Sequence, residues 1–160
     1  MSFEYIDKNL SEVRERIAEA ERRAGREGSV MLLPAVKCAE PAEIEYLYRH
    51  AGITQVGENR VQQMLEHIEA IDCEGLEFHF IGTLQTNKVK YIIDKVKLIH
   101  SLDSLKLAAE IDNINAKTLL IIIPPFGFLY ITRSFWLYMP VFQNSIPHIL
   151  SEVKLFYPFF

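Results

Sequence analysis

Residues 77–117, EFHFIGTLQTNKVKYIIDKVKLIHSLDSLKLAAEIDNINAK, decide the fold. Two short apolar runs, Glu77 to Ile81 and Val96 to His100, each precede a stretch with helical spacing. The first such stretch lies around Asn87 to Asp94; the second is opened by Ser101 or Asp103 and runs to about Ala116. Strands separated by helices must pair in parallel through right-handed crossovers. The same alternation extends toward the N-terminus. Ile53 to Val56 is strand-like, and Glu58 to Ala70 has helical spacing through Val61, Met64, Leu65 and Ile68. Before it, Ser29 to Val36 (SVMLLPAV) has strand chemistry, and PAEIEYLYRHA follows as a helix with Pro41 in its first turn and Gly52 at its close. A leading helix, with Asn9 and Glu12 as a capping box and Leu10, Val13, Ile17 and Ala20 as its apolar stripe, ends near Gly25. That makes four βα units, and Leu119 to Ile123 could begin a fifth strand. Periodicity leaves two architectures open, a doubly wound sheet and a β/α barrel.

Composition narrows the function. The 160 residues suit one domain and fall short of the roughly 250 of a complete eight-unit barrel. With 17 basic against 21 acidic side chains the net charge is −4, which argues against nucleic acid as a partner. Cys38 and Cys73 stand apart, without the spacing of a disulfide framework or a metal site, so a reducing, cytoplasmic home and no metal are expected. The charged N-terminus lacks the apolar core of a signal peptide.

Near Thr118 the composition changes. Residues 119–160 carry only Arg133, Glu152 and Lys154 as charged side chains, yet eleven of the 18 aromatics. The chain thus divides into an α/β part, 1–118, and an apolar, proline-containing tail, 119–160. Residues 119–142 approach the length of a membrane span, but Arg133 and three prolines interrupt it, so membrane association is the weaker reading.

In parallel α/β architectures ligands gather at the carboxyl ends of the strands. Those positions here hold Lys37; Gly57, Glu58 and Asn59; Gly82, Thr83, Gln85, Thr86 and Asn87; and His100, Ser101 and Asp103. A lysine desolvated beside a strand is disposed to form an imine with an aldehyde, although for a single lysine at a strand end the first solvated residue is the plainer reading. Asn59 could meet a ligand or cap the next helix. Alternation sets His79 and Ile81 on the face opposite Phe78 and Phe80, where a core histidine is the plainer reading. Lys88, Lys90, Lys95 and Lys97 read as a solvated surface, and Cys38 as a small filler rather than a nucleophile. Glycine-rich nucleotide motifs and the GxSxG elbow are missing, so hydride transfer, nucleotide hydrolysis and serine acyl transfer have no support.

Taken together, AVK at 35–37, GENRVQQ at 57–63, HFIGTLQTNKVKYI at 79–92 and IHSLDSLKLAAEI at 99–111 resemble the YggS/PROSC-type pyridoxal phosphate homeostasis family over about residues 5–117. The resemblance implies a partial (β/α) TIM-type barrel of the alanine racemase N-terminal-domain type, with four to five βα units. It implies pyridoxal 5'-phosphate held as a Schiff base on Lys37, with Asn59, His79, Ile81 and Gly82 lining the pocket mouth. It implies an intracellular vitamin B6 carrier, a monomer without catalytic turnover. The alternatives are a racemase-like enzyme, whose second acid/base group cannot be named here, and a non-functional or membrane-associated fragment. The chain departs from the family at Val36 and Cys38, which flank the lysine where many members have Ser and Thr, and at Pro34 within the strand. It departs again after about Lys117, where the family's later strands and phosphate-binding loops should follow. The expectation is therefore a truncated member whose tail comes from a frameshift or an unrelated reading, binding the cofactor weakly.

Overall fold

The computed structural model describes residues 2–114, together with the backbone of 119–122, 129–131 and 153–154. The expectations for the rest of the tail lie outside the described residues. Helix α1 (Glu4–Ala24) leads, followed by α2 (Pro41–Arg49), β1 (Gln55–Glu58), α3 (Val61–Ala70), β2 (Glu77–Phe80), a 3₁₀ turn (Thr86–Lys88), α4 (Val89–Ile92), β3 (Val96–Ile99) and α5 (Leu105–Asn113). Strands β4 (Leu119–Ile122), β5 (Leu129–Ile131) and β6 (Val153–Lys154) complete one sheet in the order β1-β2-β3-β4-β5-β6. The first four are parallel, whereas β4–β5 and β5–β6 are antiparallel.

The order of the parallel strands is the order of the chain, so this part of the sheet has no point at which the winding reverses. Each crossover packs an amphipathic helix on one side of the sheet. Val56, Phe78 and Phe80 are buried there with Ile44, Met64 and Ile92, and removing that apolar surface from water is what holds the two layers together.

Several boundaries differ from those expected, each for a local reason. The leading helix starts at Glu4 and runs through Asn9 and Glu12, so no capping box forms there. Its acidic first turn, with Glu4 and Asp7, suits the positive end of the helix dipole. Docking on α2 then fixes it: the Phe3 and Tyr46 rings lie 4.7 Å apart, and Tyr46 donates to Asp7 at 2.6 Å. Gly25, at φ 63°, ends the helix as expected. The capping box belongs instead to α2, between Glu40 and Glu43 with Pro41 at the first helical position. Glu58 lies in β1 rather than opening a helix, and α5 is capped by Ser104, whose hydroxyl accepts from the Leu107 N–H at 3.3 Å, not by Ser101 or Asp103.

The largest correction concerns Ser29 to Val36. No strand forms there; a single parallel bridge joins Ala35 to Gly57. Its two rungs are the Gly57 N–H to the Pro34 carbonyl at 2.8 Å and the Val36 N–H to the Gly57 carbonyl at 2.9 Å. The next rung toward the amino end would need an N–H on residue 34, which proline lacks, so the ladder stops.

Candidate functional site

The site is built where the chain leaves successive parallel strands. Beyond the Ala35 bridge the backbone turns, closed by the Ala39 N–H on the Val36 carbonyl at 2.9 Å, and Lys37 sits in that turn. Gln63 of α3 donates to the Lys37 carbonyl and pins the turn to the helix after β1. The Lys37 side chain is exposed, not walled in by apolar groups as desolvation would require, because the turn carries it past the end of the ladder. Cys38 is exposed in the same turn and fills nothing.

Ala35, Gly57, His79 and Leu98 stand opposite one another across the sheet. Side chains alternate along a strand, so this row and the residues two further on share one face, the one away from the helices. Ile81 occupies that face beside Gly57, where an added β-carbon would come within 3.0 Å of the isoleucine side chain. Gly82 approaches the Asn59 backbone so closely that a β-carbon would overlap the Asn59 carbonyl oxygen. The next bend is tied in by Ser101, whose hydroxyl donates to the Gly82 carbonyl. Lys37, Asn59, Ile81, Gly82 and His100 therefore follow the same carboxyl edge of the sheet.

Two buried polar atoms at this edge have no partner, the Asn59 side-chain oxygen and His79 Nε2. Asn59 does not cap α3, whose N-cap is Arg60 with no side-chain cap bond, so its amide is not committed to the helix. His79 is 2 % exposed, and its Nδ1 lies 3.0 Å from His100 Nε2. Burial, and then the neighbouring His100, push the His79 pKa down to about 4; burial lowers that of His100. Both rings are neutral at pH 7 and share one N–H between the facing nitrogens.

On the other side of β1, Glu58 is wholly buried, with Oε1 2.8 Å from His67 Nδ1 of α3 and Oε2 accepting the Asn59 N–H at 3.0 Å. Neither His67 nor the pairing of His100 was legible from local pattern. Glu58 and His67 meet only because β1 and α3 pack together, and His100 reaches His79 through the register of β2 with β3. Lys88, Lys90, Lys95 and Lys97 are surface groups as expected, Lys97 donating to Glu77 at 2.7 Å. Among the described residues no group of three or more His, Cys, Asp or Glu side chains could hold a metal ion, and no helix is long and apolar enough to cross a membrane.

No family model matches the chain. It is 53% identical over 103 residues to the pyridoxal phosphate homeostasis protein of Aquifex aeolicus, which covers 64% of this chain and 45% of the relative. The protein of the same name from Escherichia coli K12 is 35% identical over 111 residues, covering 68% and 47%. Among solved structures, an unknown protein from Bifidobacterium adolescentis superposes with a TM-score of 0.61 at 35% identity, covering 67% of this chain and 48% of that one. PipY of Synechococcus elongatus, solved with PLP bound, superposes with a TM-score of 0.52 at 36% identity, covering 61% and 46%. The chain spans about half the length of the curated relatives it matches. With AVK, GEN and HFIG set along one edge of a parallel sheet in the order of the chain, about two thirds of this chain is similar to about half the length of the pyridoxal phosphate homeostasis proteins.

Proposed function

We propose that this chain binds pyridoxal 5'-phosphate through Lys37 and serves as a carrier of the cofactor, on a partial β/α barrel whose strands run β1 to β4 in chain order. The observation that carries the reading is the edge itself: an accessible primary amine stands on a turn whose backbone is pinned by the Ala35–Gly57 bridge and the Gln63 contact, on the same rim as two buried polar atoms without partners. When bound, the cofactor supplies an aldehyde that condenses with a primary amine, forming C=N and releasing water.

The residues present fit the aldehyde and the ring. Lys37 supplies the amine and, being exposed, is reached without opening the fold. The Asn59 oxygen accepts a hydrogen bond, and His79 Nε2 donates or accepts according to the tautomer that His100 selects. Gly82 leaves the Asn59 bend room to approach, and Ile81 offers an apolar wall. None of the described residues is assigned to the phosphate. The relatives are named for homeostasis and not for a reaction, in keeping with a binder. Moving an α-proton would require a second acid/base group opposite Lys37, and none of the described residues is assigned that task. A cytoplasmic monomer completes the proposal, supported by two free cysteines, Cys38 and Cys73.

The test is chemical. Purified protein is incubated with the cofactor, reduced with borohydride and digested. The added mass is expected on Lys37 and is lost in Lys37→Ala; label spread over the surface lysines, or unchanged in Lys37→Ala, sinks the reading. Cofactor-dependent exchange of the α-hydrogen of an amino acid for deuterium would overturn the carrier role in favour of an enzyme.

A further inference from the structure

We infer that Glu58 is a positioning residue for the cofactor site, its carboxylate holding from behind the sheet the bend that aims Asn59; the inference rests on the binding reading above. Glu58 is 0 % exposed and lies on the helix side of β1, opposite to the face of Gly57 and Asn59. A carboxylate is costly to bury unless its oxygens are used. One oxygen lies against His67 of α3 at 2.8 Å, and the other takes the Asn59 N–H at 3.0 Å. The Glu58 carbonyl accepts the Ile81 N–H at 2.7 Å, and the Asn59 carbonyl rests on Gly82. The bend is thus fixed from the helix layer on one side and from the β2 edge on the other.

The Asn59 side-chain oxygen, buried at the rim, has no hydrogen-bond partner. A buried amide oxygen without a donor is unfavourable, so a ligand that supplies the donor recovers that energy only if the oxygen is held in place. Glu58 touches nothing on the ligand side. Its contribution passes through the Asn59 backbone, which separates it from a residue that binds directly.

The experiment is a double-mutant cycle on the full chain, with wild type, Glu58→Leu, Asn59→Ala and the double variant, and Glu58→Gln as the conservative control. Cofactor affinity is read by the absorbance of the bound form, borohydride fixation on Lys37 is scored in the same samples, and amide hydrogen exchange at residue 59 is followed without cofactor. Glu58→Leu and Asn59→Ala are each expected to weaken binding about tenfold, the double variant no further, and Glu58→Gln less than about threefold because its amide oxygen still accepts the Asn59 N–H. Exchange at residue 59 should quicken in Glu58→Leu and stay slow in Glu58→Gln. Additive losses, or unchanged affinity in a folded Glu58→Leu, overturn the inference. If Glu58→Leu does not fold, Glu58→Gln decides: a loss as large as that of Asn59→Ala, with residue 59 still protected, overturns it. A wild-type protein that fixes no cofactor on Lys37 defeats the binding reading first and this inference with it.

Discussion

His79 makes stability depend on pH in a direction that follows from its burial. Its pKa lies near 4 in the folded chain against an ordinary 6.5, so between those values the unfolded chain binds a proton that the folded chain refuses. Stability is therefore full above about pH 6.5, falls as the pH drops toward 4, and loses nothing further from this residue below that. A shift of this size corresponds to about 3 kcal/mol. Urea unfolding at pH 7 and at pH 4.5 should show wild type losing more stability than His79→Asn, with the two curves parallel above pH 7. The sequence placed His79 opposite Phe78 and Phe80 correctly, since alternation is local. It gave no sign of His100 as its partner, because β2 and β3 slip register between Phe78 and His79, opposing them to Val96 and Leu98. Lys37 was found by its place after an apolar run, and the reading of it as the first solvated residue there holds, its exposure coming from a turn set by the Ala39–Val36 hydrogen bond.

At the scale of elements, the helices and β1 to β3 follow from periodicity with ends shifted by a few residues. Helix α1 shows why ends are the least legible part: the Asn9–Glu12 pattern is a valid local cap, but docking of Phe3 and Tyr46 favours an earlier start. The run before Lys37 is the instructive failure. Its composition is that of a strand, and its partner β1 is in place, yet Pro34 removes the donor that would face the Gln55 carbonyl. Pro34→Val is expected to extend the bridge by one rung. A gain of about 1 kcal/mol in thermal or urea unfolding and a protected amide at residue 34 would follow. An unchanged midpoint with a freely exchanging residue 34 would show that the edge is limited by something other than proline.

Over the whole molecule, the described part offers groups for an aldehyde and a ring, while the chain matches only about half the length of its relatives. With no described residue assigned to the phosphate, pyridoxal and pyridoxal 5'-phosphate should bind Lys37 with affinities within about threefold, far less than the gain that a charged hydrogen-bonded phosphate site gives. A preference of a hundredfold for the phosphate ester, measured by competition, would show that such a site exists. The antiparallel β5 and β6 were not foreseen, since periodicity in a proline-broken apolar run supports neither helix nor strand. The arrangement of β1 to β4 has a kinetic corollary. Each parallel strand finds its neighbour one helix back, so loop closures stay short and contact order among these units stays low. Pairing can then proceed stepwise as the polypeptide leaves the ribosome, the lysine-bearing turn being ready for docking once β1 has emerged.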